Sequence, residues 1–408
     1  MRTLAAFCVA VTASVMLAAD PVARAGTIAD GLHEFIDHNG FPTHGEFTEA
    51  ITPIIERQAA RGVDFPVTAT TPGFTYQFNF ETGVPERSSE SLGPVFAERA
   101  DTVGKRRFDF GMSYLHADLT QFNGNDFAKQ IATSATITIP TTAGDVGVTQ
   151  SFRARDFSLV SDIVGLSATY GVTDRLDVNG LAQLVRTSLS LSGTATAQLA
   201  GGGGPPISEE LRFHDTAFGF GDTLLRAKYR LFDAPVKLAT SFGIRLPTGS
   251  EGDFHGTGDT SVAGGLILSR AFGAQDVHAN VGVELNADDL QRSRARYAIG
   301  ASLQRWERIA LLVDLIGSSS FVKDEFELPA PTGTVSVQHL FGNDELIESV
   351  TRKKIVAFVP RSDVVNLAVG VKVSIVGSAV AFANAIVPVT SDGLQAEVIP
   401  TVGAEYSF

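Results

Sequence analysis

Between Arg107 and Phe408 apolar and polar side chains alternate with a period of two, the pattern of β-strands that present their faces to two different environments. In residues 236–246 one face carries Val236, Leu238, Thr240, Phe242, Ile244 and Leu246, and the other carries Lys237, Ala239, Ser241, Gly243 and Arg245. Val277, Ala279, Val281, Val283 and Leu285 likewise oppose His278, Asn280, Gly282, Glu284 and Asn286, and the odd positions from Val365 to Ile375 oppose Asn366, Lys372 and Ser374. Charges recur on a face that a soluble sandwich would bury, so the pattern predicts a wall with lipid on one side and something polar on the other.

The connections predict how that wall closes. Tight turns are expected at residues 171–174, 233–235, 272–275, 306–308 and 376–378, and longer Gly- and Asp-rich links at 120–153, 192–213, 248–257, 286–293, 322–362 and 390–395. Short and long connections alternate strictly, as periplasmic turns and extracellular loops do in outer-membrane barrels. The fold class is therefore all-β, a closed antiparallel transmembrane β-barrel of about 12 strands with both ends of the wall on the periplasmic side. Residues 131–139 and 353–359 read either as strand extensions above the membrane or as extra spans, which would bring the number to about 14. Closure has a physical cause: in hydrocarbon an unpaired backbone N–H or C=O costs several kcal/mol, so the sheet must have no edge.

Residues 26–103 break the alternation and form a separate N-terminal helical or irregular segment, ahead of a barrel over 104–408. Thr43-His44-Gly45-Glu46 fits a capping box, and Pro53 and Gly62 fit the start and end of a second helix. The apolar Phe47, Ile51, Ile54 and Ile55 need a partner, which a barrel lumen would supply if these helices form a plug, while a periplasmic appendage is the alternative. Residues 74–80 alternate aromatic with polar as a short extended segment. Ahead of them, Arg2, an apolar stretch over 4–19 and Ala23-Arg24-Ala25 read as a signal peptide spanning 1–25.

Composition narrows the classes further. Forty glycines, three methionines, 44% hydrophobic residues and a mean hydropathy of +0.13 fit a strand- and turn-rich chain, and beyond the leader no run approaches a membrane-spanning helix. The net charge of −13 argues against nucleic acid as a partner. Cys8, the single cysteine, falls in the leader, so no disulfide and no cysteine-ligated metal is expected, and no cofactor motif is present.

Turning the apolar face outward points Arg226, Lys228, Arg230, Lys237, Arg245, His278, Glu284, Asp314, Lys372, Glu397 and Glu405 to the lumen. They read as paired residues solvating the interior, or as a ladder from Arg226 to Arg245 along a substrate path. An enzyme is not expected: no Gly-x-Ser-x-Gly elbow occurs, and neither His116 with Asp118 nor Asp253, His255 and Asp259 has a nucleophile at a telling distance. The Gly201–Gly204 run followed by two prolines lacks the strand and the Lys-Ser/Thr of a phosphate cradle.

The last residues, Val402-Gly403-Ala404-Glu405-Tyr406-Ser407-Phe408, resemble the aromatic carboxy-terminal strand of outer-membrane barrels, and the resemblance makes Tyr406 and Phe408 an assembly signal for the barrel-assembly machinery. Further stretches resemble the outer-membrane transporter family named for a MetA-pathway of phenol degradation, itself similar in plan to the long-chain fatty-acid transporters. They are residues 92–100 (Leu-Gly-Pro-Val-Phe-Ala-Glu-Arg-Ala), Gly104-Lys105 with Phe108-Asp109-Phe110-Gly111, residues 170–178 (Tyr-Gly-Val-Thr-Asp-Arg-Leu-Asp-Val), 221–229, Leu246-Pro247-Thr248-Gly249 and 383–388. The resemblance implies an outer-membrane location, contact with lipid, and diffusive uptake of small hydrophobic or aromatic molecules. A barrel that anchors functional extracellular loops without transport is the alternative.

Overall fold

The computed structural model describes residues 26–38, 76–78, 85–87, 92–130, 132–141, 144–199, 205–233, 236–273, 275–329, 354–359 and 361–408. The leader over 1–25, the capping box at 43–46 and Phe47, Ile51, Ile54 and Ile55 lie outside them.

The wall is built from β1 (Phe108–Phe122), β3 (Gly144–Gly171), β4 (Leu176–Leu199), β5 (Ile207–Phe220) continued by β6 (Thr223–Phe232), β7 (Lys237–Leu246), β8 (Ser261–Phe272), β9 (Gln275–Asn286), β10 (Arg294–Trp306), β11 (Ile309–Ser320), β12 (Asp363–Ser374), β13 (Ala379–Pro388) and β14 (Ile399–Ser407). Here β2 is Ala132–Thr141, α1 is Ile28–His38 and α2 is Phe127–Gln130. Strands β5 and β6 face successive stretches of β4 and are offset by a one-residue irregularity at Gly221-Asp222, so they act as one wall strand. Each wall strand pairs antiparallel with its sequence neighbour, and β1 pairs with both β3 and β14, which closes a twelve-stranded barrel. At the seam Phe408 and Phe108 exchange backbone hydrogen bonds of 2.9 and 3.0 Å, and the Phe408 ring stacks on Phe108 and Phe110. The segments left open between extension and span resolve as extensions: among the described residues β2 pairs only with the upper part of β3, and Lys354–Val359 pairs with Asp324–Pro329 in a two-stranded sheet of its own.

The outer belt is apolar, with Phe110, Leu166, Val178, Leu225, Phe242, Leu266, Val281, Ile299, Val313, Val369 and Val402 exposed on the outside of the wall. Val281 is 59% exposed at the middle of β9, whereas inward Lys372 is 0% exposed, the reverse of a water-soluble protein. Phe232, Phe272, Trp306, Tyr170 and Phe408 gather at the end that carries the tight turns, as interfacial aromatics do. A closed wall with this belt is an outer-membrane barrel. Replacing Val281 by Arg is expected to cost about 2–4 kcal/mol at mid-belt, read as a lower urea midpoint of the folded band on unheated gels, while Val281→Leu leaves it in place.

The expectation of one polarity from Arg107 to Phe408 needs correction on one side of the barrel. On β4 the period of two holds throughout, yet the sense reverses near Leu184. Below it Asp177 and Asn179 point in and Val178 points out; above it Leu189 and Leu191 point in and Arg186, Ser188 and Ser190 point out. Strand β3 does the same, with Leu159 and Phe157 inward and Asp162 and Ser158 outward. The cause is height: β1 to β5 rise past the lipid, so their outside meets water and their inside packs as a core. That core takes in Leu119, Phe122, Phe127, Phe157, Leu189, Phe213 and Ile386. Helix α1 docks on it through Leu32 and through Phe35, whose ring lies 5.4 Å from that of Phe213. A capping box starts α1, with the Asp30 N–H donating to Thr27 Oγ1 at 3.2 Å and the Asp30 carboxylate accepting from Thr27 N at 2.6 Å. Ile28, Leu32 and Phe35 repeat at helical spacing, the local sign of this helix in the sequence.

Candidate functional site

Twelve strands enclose more room than their own inward side chains fill. Here residues 92–103 cross the lumen in its periplasmic half, with Leu92, Val95, Ala97, Arg99, Ala100, Asp101 and Val103 all buried. This stretch, noted in the sequence only for its family resemblance, is the plug among the described residues. It makes no regular secondary structure, so its backbone groups must find partners elsewhere.

The wall supplies them strand by strand. At the periplasmic rim Thr102 Oγ1 donates to the Asp174 carbonyl at 2.7 Å, and Val103 N–H donates to the Asp177 carboxylate at 3.0 Å. Ala100 N–H donates to Ser269 Oγ at 2.8 Å, and that hydroxyl also meets His278 Nδ1 at 2.8 Å. Asn280 holds Glu98 at both ends of its peptide unit, accepting from its N–H at 2.6 Å and donating to its carbonyl at 2.9 Å. The Asp314 carboxylate accepts from Phe96 N at 3.1 Å and Val95 N at 3.3 Å. Lys372 Nζ donates to the Pro94 carbonyl at 3.1 Å.

The plug's charges pair with the same wall. Glu98 lies 3.1 Å from Arg226 and 3.6 Å from Lys228, Arg99 lies 3.2 Å from Asp276, and Asp101 lies 2.6 Å from Lys237 and 3.9 Å from Arg230. Gly93 sits at φ +68°, and a Cβ there would press on the Arg99 guanidinium, which folds back over the chain. Gly300 on β10 lets the plug come close, since a side chain there would meet Ala97 and Asp314. Buried charges held this way are costly to separate only while water stays out, because each would then keep its desolvation without its partner.

Of the residues read as lumen-facing, Arg226, Lys228, Arg230, Lys237, His278, Asp314 and Lys372 line the plug. Arg245 and Glu284 lie higher, 3.6 Å apart, and Glu405 pairs with Lys372 at 3.1 Å. Glu397 is elsewhere: it precedes β14, is exposed, and accepts from Gln121 at 2.9 Å. Asp276, Asn280, Ser269 and Asp177 are absent from that lumen-facing set, yet each shares a face with His278, Lys237 or Lys228, so the alternation already carried the signal.

The other candidate groups have local roles. His116 and Asp118 point outward above the belt, His116 to Asp162 at 2.8 Å and Asp118 to Ser158 at 2.6 Å. Asp253 accepts from the first turn of α1 at Ile28 N, 2.9 Å away. Burial pushes the His255 imidazole below its ordinary pKa, against the opposing pull of Asp253. Asp259 pairs with Arg292 in the neighbouring loop. Among the described residues no group of three or more His, Cys, Asp or Glu side chains is arranged to hold a metal.

Residues 141–307, from the end of β2 to the turn after β10, match the family described as "Putative MetA-pathway of phenol degradation". The resemblance read from the sequence holds over that stretch. No curated protein sequence matches the chain. Among solved structures the chain is similar to an outer membrane channel from Pseudomonas putida F1, with 13% identity over 76% of this chain and 98% of that one and a TM-score of 0.42. It is also similar to a FadL homologue from Pseudomonas aeruginosa (10% identity, 75% and 89% covered, TM-score 0.31) and to the P. putida toluene transporter TodX (11%, 74% and 89%, TM-score 0.33).

Proposed function

We propose that the barrel is an outer-membrane channel for diffusive uptake of small apolar or aromatic molecules, with residues 92–103 as the element that gates it. One observation carries this reading: the interior is divided in height. On the β1 to β5 side the extracellular part carries apolar inward side chains such as Leu119, Phe157, Leu189 and Phe213, whereas the charges that the plug satisfies lie in the periplasmic half; the β7 to β10 side keeps a charged cluster of its own higher up. An apolar solute leaving the external water gains by entering the upper half, whereas a hydrated ion does not. The lower half is closed by contacts that water can replace once the plug shifts, because they are hydrogen bonds and ion pairs. The matched family's association with phenol degradation points to the same cargo.

The tall sheet of β2 to β5 supports the rival reading, a barrel that anchors an external binding surface. Flux separates the two. Liposomes carrying the purified protein are expected to take up toluene or phenol faster than empty liposomes and to exclude a charged sugar phosphate. Equal rates with and without protein would leave the anchor reading standing.

A further inference from the structure

We infer that the lumen contains a binding site for a small apolar carboxylate, between the plug and the wall of β7 to β10. The inference rests on the channel reading, since the site lies on the route a solute would take. A cavity of about 230 Å³ opens there. Phe96 and Glu98 of the plug form one side. The other side is hollow because neighbouring strands carry little or no side chain: Gly243 pairs with Ala263 and Gly265 with Gly282, all four inward. A wall that recedes at four adjacent positions leaves room for a flat group, and Ile267 and Ile316 give it apolar contact. This size suits a single ring and not a long chain.

The chemistry at the upper rim selects charge. Arg245 on β7 and Arg296 and Arg294 on β10 converge on the one carboxylate of Glu284, with Arg245 at 3.6 Å, Arg294 at 3.7 Å and Arg296 in direct contact. Arg226 borders the same space from β6. Planar guanidinium forks suit carboxylates, and here three of them already gather on one resident carboxylate, each through its Nε. A benzoate-like molecule would put its ring against Phe96, Ile267 and the glycine wall and its carboxylate against these arginines. There it competes with Glu284 for the guanidiniums.

Equilibrium dialysis with the full-length purified protein tests this, with benzoate as probe and benzamide as its neutral counterpart. Benzoate is expected to bind saturably and benzamide about tenfold more weakly. Glu284→Gln, close to isosteric, removes the competing charge and should tighten benzoate about tenfold while leaving benzamide unchanged. Ala263→Leu fills the hollow without touching a charge and should weaken both about tenfold. Equal binding of the two probes, or a Glu284→Gln variant that binds benzoate no better than the parent, overturns the site. Toluene flux in liposomes keeps the two readings apart: flux without benzoate binding removes the site alone, and benzoate binding without flux removes the channel alone.

Discussion

Removing residues 26–103 should raise the single-channel conductance of the barrel on the order of tenfold or more in planar bilayers. The wall does not need the segment to close, because every wall strand hydrogen-bonds its neighbours and the β1–β14 seam joins backbone to backbone. The inward charges do not become stranded either. Once residues 92–103 leave, water enters, and Asp276, Lys228, Lys237 and Asp314 exchange protein partners for solvent in a polar lumen. A milder change is also informative. Replacing Arg99 and Asp101 together by Ala removes ion pairs to Asp276, Lys237 and Arg230 but leaves the backbone bonds to Ser269, Asn280 and Asp314. Brief openings from a closed baseline are expected in that variant. If both variants conduct like the parent, residues 92–103 do not gate the pore.

Strand β4 shows how far the sequence could be read. Alternation divides residues 176–191 between two faces, because side-chain direction follows from backbone geometry alone; residues 192–199, expected in a long link, continue the strand instead. What alternation does not carry is which medium lies on each side. Leu189 and Val178 look alike in a hydropathy pattern, yet one faces the core and the other the lipid. Their odd separation puts them on opposite faces, but which face carries apolar residues at each level depends on height along the barrel axis, and height depends on where the belt ends on neighbouring strands. The turns were legible for a different reason: Gly171, Gly273 and Gly377 with their flanking residues mark tight reversals locally, with no tertiary information required. The plug was hidden because it has no period at all. Its conformation is set by side chains more than sixty residues away, such as Asp177, Asn280 and Asp314, so nothing within residues 92–103 announces it.

That dependence also explains why the plug meets the wall through polar groups and not only through Leu92, Val95 and Phe96. An apolar plug would gain from burial everywhere in the lumen and would have no preferred register. Residues 92–103 are instead fixed by donors and acceptors that recur at intervals on successive strands, each fitting one or two particular backbone groups. Specific placement and reversible release come from the same contacts, since each of them has an equivalent in water.

Lys372 is the contact whose loss should matter most to stability. Its ammonium is 0% exposed, donates to the Pro94 carbonyl at 3.1 Å, lies 3.1 Å from the Glu405 carboxylate, and sits 5.9 Å from the centre of the Phe382 ring. It ties β12, the plug and the closing strand β14 at one point. Replacing it by Met keeps the length and apolar contact of the side chain and removes only the charge and its hydrogen bonds. Glu405 then stays buried without this cation, for which the expected cost is about 3–5 kcal/mol, measured from urea unfolding of the folded band in lipid. Pairing Lys372→Met with Glu405→Gln should recover most of that loss, since Glu405 then no longer leaves a carboxylate facing the lost ammonium. A double variant as unstable as the single one would mean that the Pro94 bond, and so the plug, carries the energy; no loss in the single variant would show that Glu405 does not depend on Lys372.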